Sequence, residues 1–412
     1  MRRIIFIVLG IVLLLGIGVG IYFGFLQGNA KLSGAPGTSF PDSGKAAPDT
    51  SAGTPSTQEL GVAAPNAGTD IAPHLVRVSD RPVALGFATV FVPPQKIGTS
   101  TASTTATYSD PDVRVEYVER ESGNIYAYQA HGRTLTRLTN KTLPGIEYVS
   151  WLSDGSLAYA QFLSKTGSTE QVSTYALPAN GSDGYFLNAN LAQVLTRATS
   201  TLVTLLSTTD GSSASASSPS GTGLHTLFSS PLASLVLGFS GTNYVATTKG
   251  SAHADGYAFQ VDGKTGAFTR ILGPLPGLAT LPSPNGHYLL YTYNADGHMA
   301  LAVLDMTTHI ATRLPLATLA QKCVWTEDSS AVYCGVPTSM TGTLPDEWYQ
   351  GATSFSDRIW KIDMTGRVAT LIIDPKRAAN VDVDAVGLSL DRMNDVLVFE
   401  NRNDGLLYAY DL

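Results

Sequence analysis

The chain has 412 residues, 14% of them charged and 43% hydrophobic, and a formal net charge of −7. So few charges, net acidic in sign, exclude the basic footprint of a nucleic-acid binder and argue against an anionic membrane surface as partner. The length is ample for one continuous hydrophobic core.

Met1-Arg2-Arg3 is followed by 23 uncharged, almost wholly apolar residues, Ile4 to Leu26. As a helix rising about 1.5 Å per residue, this run spans roughly 34 Å, against about 30 Å for a bilayer core. A cleavable signal peptide is the competing reading, with Gly28-Asn29-Ala30 as its small-residue site. Its apolar core would run only about 7 to 15 residues, which favours a retained transmembrane anchor over residues 4–26. Arg2 and Arg3 then keep the N-terminus inside and send the rest of the chain outside the cytoplasmic membrane, to the periplasm or cell surface. Without those two arginines the exported part carries −9. Gly16, Gly20 and Gly24 recur every four residues on one helix face, a spacing that fits weak self-association of two membrane helices.

Residues 27–80 are rich in Gly, Ala, Ser, Thr and Pro and poor in large apolar side chains. Such a composition cannot bury a core and predicts a disordered tether with an r.m.s. reach of roughly 40 Å.

From residue 110 to the C-terminus a hairpin-turn signal returns between two apolar runs. Its central positions are 110, 154, 199, 241, 285, 328 and 392, at intervals of 44, 45, 42, 44, 43 and 64. A fixed period of roughly 40 to 50 residues marks a unit that cannot cover both its faces alone, so seven turns predict a seven-bladed, all-β propeller over residues 81–412. The runs beside the turns are short and β-prone: Val113–Val118, Tyr288–Tyr293, Ala331–Cys334 and Val396–Phe399. The last blade shows only three strands, 386–390, 395–400 and 405–410. The unassigned run Val83–Val92 is therefore expected to supply its outer strand and remove two open edges.

At Ser283-Pro284-Asn285-Gly286-His287-Tyr288 and Trp325-Thr326-Glu327-Asp328-Ser329-Ser330 the chain resembles the TolB-type propeller repeat, a relative of the WD repeats. That consensus runs Trp-Ser-Pro-Asp-Gly, one spacer, then a strand. The resemblance implies the propeller fold. It implies no single activity, because such propellers serve as scaffolds, chaperone platforms and enzyme accessories alike.

The two cysteines, Cys323 and Cys334, fall in one predicted hairpin. A two-residue loop at Asp328-Ser329 makes facing positions sum to 657 and sets Cys323 opposite Cys334, where a disulfide fits; a three-residue loop with a bulge puts the thiols on opposite faces.

No catalytic motif stands in the sequence. Gly238-Phe-Ser-Gly-Thr242 ends in Thr where a serine-hydrolase elbow needs Gly. Phosphate loops, His-Glu-x-x-His and calcium loops are missing, and the seven histidines show no ligand spacing, so no cofactor and no metal are expected.

Three long segments are assigned to connections between second and third strands: Asp210–Gly223, Lys249–Gly256 and Pro337–Ser356. The last holds Asp346, Glu347, Trp348, Tyr349 and Phe355, a set suited to anchoring a partner and equally to plugging the loop onto its own blade. The overall reading is a non-enzymatic binding or scaffold module in an envelope assembly, with an unidentified protein or glycan partner. The alternative is a carbohydrate-active or other hydrolytic propeller whose carboxylates, such as Asp346 and Glu347, gather at the channel.

Overall fold

The computed structural model describes residues 60–99, 106–295 and 297–412. The expected anchor at 4–26, with Gly16, Gly20 and Gly24, and residues 27–59 of the expected tether lie outside the described residues. Among the described residues no helix is long and apolar enough to cross a membrane.

Seven antiparallel sheets form the blades. Their innermost strands are Ala88–Val92, Ile146–Trp151, Leu191–Arg197, Leu235–Ser240, Ala279–Pro282, Cys323–Trp325 and Ala385–Leu390. Five of the blades step outward through four consecutive strands, and blades one and seven add strands from earlier in the chain. Alternation along a strand sends successive side chains to the two neighbouring blades. Val113, Val115 and Tyr117 pack with Val396, Val398 and Leu407 of the last blade, whereas Val118 packs with Ile146, Val149 and Trp151 of the second. Both faces of every sheet are thereby covered.

Six of the seven predicted turns join an innermost strand directly to its neighbour. In the first blade a small hairpin, Lys96–Thr99 with Ala106–Tyr108, is inserted ahead of the turn. The local chemistry repeats between blades. In blade five the Tyr288 amide donates to Ser283 Oγ (2.9 Å) and the His287 amide to Asn285 Oδ1 (2.9 Å). In blade six the Ala331 amide donates to Thr326 Oγ1 (3.0 Å) and the Ser330 amide to Asp328 Oδ1 (3.0 Å). The blade-six loop is one of four residues, since Thr326 N–H donates to Ala331 O, and it is centred on the same point as the expected two-residue loop. The register is therefore the same: Cys323 faces Cys334 with Cα atoms 4.1 Å apart, and their sulfurs are bonded.

Closure departs from the sequence expectation. Val83–Val92 does not edge the last blade. Its Ala88–Val92 half is the inner strand of blade one, with Phe91 opposite Val113 and Val90 opposite Arg114. Its first half crosses the channel mouth, where Val83 N–H donates to Gly405 O of blade seven (2.9 Å) and Leu85 N–H to Glu147 O of blade two (3.0 Å). At the crossing, Gly86 has φ +116°, and a Cβ there would stand 1.9 Å from Val149 O. Only glycine lets the backbones approach so closely.

The outer strand of blade seven comes from within the expected tether. Leu75–Arg77 pairs with Tyr408–Tyr410, and Thr69–Ala72 adds a fifth strand outside it. Ala63–Pro65 extends blade one in the same way. Residues 60–80 are therefore part of the propeller, and they fasten the blades on both sides of the closure. Leu75 and Val76 drive the docking because both are fully withdrawn from water.

A second departure lies in Asp210–Gly223. Gly211–Ser217 is the third strand of blade three, reached by a tight turn that pairs Thr208 with Gly211. Its Ala214 and Ala216 pack among Leu227, Phe228 and Leu237, so small side chains serve close packing here and not mobility.

Candidate functional site at the channel mouth

The connections between second and third strands share one face with the blade-to-blade crossings. On that face the 338–356 connection folds inward and carries a one-turn helix, Asp346–Tyr349. Trp348 and Phe355, two of the expected partner anchors, are buried and stack with ring centroids 6.5 Å apart. Leu319, Leu344, Met299 and Val386 surround them. These two residues form a plug, and Trp348 also lines the cleft above it.

The plug covers a buried ionic cluster. Lys322, with no exposed side-chain surface, places Nζ 2.8 Å from Asp357 Oδ2 and pairs with the Asp384 carboxylate. Its ammonium sits 5.4 Å from the Trp348 ring and 5.3 Å from that of Phe355. Asp384 Oδ2 also accepts from Trp348 Nε1 (3.0 Å) and the Phe355 amide (3.2 Å), so one carboxylate fixes both rings. Two carboxylates face one ammonium. Burial pushes the Asp357 carboxyl up to about 6 against the pull of Lys322, and the charge of Asp384 adds to the rise.

Above the plug lies a cleft of about 570 Å³, whose lining includes Arg120, Glu147, Trp348, Glu400, Arg402 and Asp404. Through Leu85, Tyr148 and Tyr349 it runs into a basin of about 680 Å³ over the channel, formed where the inner strands of blades two to five begin. Its accessible apolar surface comes from Leu85, Tyr148, Leu195 and Val236, and Gln161, Gln193, Thr247, Thr280 and Gln321 add polar groups to the lining. Tyr148 is 58% exposed and Val236 47%. Tyr349 joins the two spaces, and its hydroxyl accepts from Gln321 Nε2 at 2.5 Å.

Most charged groups of the cleft are engaged. Arg120 pairs with Glu147. Asp404 accepts from Asn401 Nδ2 (2.9 Å), Tyr408 OH (2.8 Å) and the Leu406 amide (2.9 Å). Glu400 is only 8% exposed, and its Oε2 has no partner among the described residues. Burial pushes its carboxyl up to about 7; Arg120 and, more weakly, Arg402 oppose the rise, and Asp404 and Glu147 add to it. Arg402 lies with Cζ 4.7 Å from the centre of the Trp348 ring.

Asp346 and Glu347 line neither the cleft nor the basin. Asp346 Oδ2 accepts from the Ala252 amide at 2.6 Å, tying the long connection of blade six to that of blade four. The carboxylates at the mouth are Glu147, Glu400 and Asp404 instead. Among the described residues no three His, Cys, Asp or Glu side chains cluster to hold a metal ion. Sequence reasoning missed Lys322, Asp384, Glu400 and Arg402. The available signal was a charge inside an apolar run, as in Val383-Asp-Ala-Val386 and Val396-Leu-Val-Phe-Glu400, where an ionised group needs a buried partner.

No family model and no curated protein matches the chain. Solved structures do. An oligogalacturonate lyase in complex with manganese superposes with a TM-score of 0.53 at 11% identity, over 86% of this chain and 98% of that one. YCF48 bound to D1 peptide does so with a TM-score of 0.50 at 11% identity, over 84% and 99%. The chain is a seven-bladed β-propeller. Likeness at this identity reaches the fold and stops there. TolB from Acinetobacter baumannii also matches, at 12% identity over 73% of this chain and 63% of that one, but with a TM-score of 0.38 that carries no argument.

Proposed function

We propose that this propeller is a non-enzymatic binding module, held to the cytoplasmic membrane by residues 4–26 and presented outside it, which takes a partner at the channel mouth. The continuous basin and cleft on one face carry this reading. Exposed Tyr148 and Val236 beside a rim of fixed polar groups are what a binding surface needs. The apolar run Ile4–Leu26 behind Arg2 and Arg3 supports the anchor. The paired Cys323 and Cys334 support an oxidising compartment. The TolB-type turns and the YCF48 fold are compatible with a partner-binding role, YCF48 having been solved with a peptide bound.

A hydrolytic propeller is the second reading, and Glu400 favours it: a carboxyl held up at about 7 in a cleft suits acid–base work. Paired-carboxylate chemistry also needs a second free carboxylate, however, and Glu147 and Asp404 are both engaged.

The test is photo-crosslinking in the native envelope, from a probe amino acid at Tyr349 and, as control, at Arg392 near the opposite end of the channel. A discrete partner crosslinked from Tyr349 and absent from Arg392 is expected. Equal crosslinking from both positions, or from Arg392 alone, defeats the assignment of the mouth.

A further inference from the structure

Arg402 stands apart from the other charged groups of the cleft. Among the described residues, no carboxylate forms an ion pair with its guanidinium, although Glu147, Glu400 and Asp404 share the space; Nη1 itself is withdrawn from solvent and has no hydrogen-bond partner. The side chain is nevertheless held. Its backbone N–H donates to Asp384 O at 2.9 Å, and its guanidinium stacks on Trp348, whose indole is fixed by the Asp384 carboxylate over Lys322. A buried ionic cluster thus orients an unpaired cation at the edge of an open cleft.

We propose that Arg402 binds a carboxylate of a peptide partner whose apolar side chains fill the adjoining basin. This rests on the binding-module reading above and names its ligand chemistry. A planar guanidinium matches a carboxylate through parallel hydrogen bonds, and stacking on Trp348 reduces the orientational freedom lost on pairing. The accessible apolar surface of Tyr148, Leu195 and Val236 suits the apolar side chains of a peptide. The cleft and basin adjoin at Leu85, Tyr148 and Tyr349, which line both.

The experiment offers the full-length chain a pool of random synthetic octapeptides with free C-termini. Retained sequences are remade in two further forms, one amidated at the C-terminus and one with Asp and Glu changed to Asn and Gln. Removing the responsible carboxylate should weaken binding about tenfold or more, and the arm that does so shows whether the terminus or a side chain supplies it. Arg402→Gln should cause the same loss at unchanged melting temperature, with Arg402→Lys intermediate because it keeps the charge and loses the fork. Binding within twofold in the form lacking every carboxylate, or full binding by Arg402→Gln, overturns the proposal and leaves the binding module standing. Retention of no peptide while a uronate oligosaccharide binds also overturns it. Retention of neither, with no crosslink at Tyr349, defeats the binding reading itself.

Discussion

The ammonium of Lys322 is paired with the Asp384 carboxylate beneath the Trp348 ring, and neither side chain has any exposed surface. Removing one member of such a pair leaves an uncompensated charge in a medium that cannot solvate it. Lys322→Met should therefore destabilise the propeller by about 3–5 kcal/mol, measured by denaturant unfolding. A loss under about 1 kcal/mol would mean that water or rearrangement reaches the cluster.

Asp357 gives that cluster a pH signature. Its carboxyl titrates at about 6 when folded, against 3.8 as the ordinary value, so between those pH values the folded chain holds a proton that the unfolded chain has released. The contribution of this group is accordingly greatest below about pH 4, falls as pH rises through this window by on the order of 3 kcal/mol, and is level above it. Asp357→Asn should flatten that part of the stability profile. An unchanged slope would place the raised carboxyl elsewhere, with Glu116 and Glu400, both pushed up to about 7 by burial, the next to replace.

Closure by Leu75–Arg77 makes a sharp prediction about truncation. A chain beginning at Leu60 should melt like the full-length protein. One beginning at Ser79 should expose the 406–411 edge, lose the buried Leu75 and Val76, and aggregate or lose several kcal/mol. Size-exclusion chromatography and thermal melts compare the two, and a well-behaved monomer from Ser79 would show that the closure strands are dispensable.

Trp348 and Tyr349 are neighbours with opposite expected phenotypes. Trp348 is buried on the Lys322 cluster, so Trp348→Ala should cost about 3–5 kcal/mol of stability. Tyr349 bridges cleft and basin, so Tyr349→Ala should leave most of the stability and weaken partner binding by about 1–4 kcal/mol. A melting temperature that falls equally in both variants would make Tyr349 structural as well.

Denatured, unreduced protein should show no reactive thiol, because Cys323 and Cys334 are bonded. The bridge closes a loop of only ten residues, so Cys323→Ala with Cys334→Ala should cost a few kcal/mol at most. Two thiols per chain on labelling would contradict the pairing.

The propeller was legible because its turns impose a period, and a period survives the variation of individual residues. The Cys323–Cys334 register was legible for a related reason: a four-residue loop and a two-residue loop with one centre give the same facing pairs. Closure was not. Leu75-Val-Arg-Val78 is a short apolar run set in Gly-, Ala- and Thr-rich sequence, and only the open edge at Leu406–Asp411 gives it a place to pair. The candidate site was half legible. The aromatic content of 344–355 pointed to the right loop, but Trp348 and Phe355 turn inward because Asp384, nearly thirty residues further on, supplies their hydrogen-bond acceptor. Arg402 and Glu400 arrive on another blade, and nothing local in either segment marks their meeting.

The most direct test of binding at the channel mouth is the affinity of the crosslinked partner for two variants of the full-length chain. One carries Val236→Asp with Tyr349→Ala in the basin, and the other Arg392→Ala near the opposite end. The basin variant should bind about tenfold or more weakly at an unchanged melting temperature, and the other within about twofold of the parent. Full affinity in the basin variant, or a loss confined to Arg392→Ala, would contradict the assignment of the partner to this face.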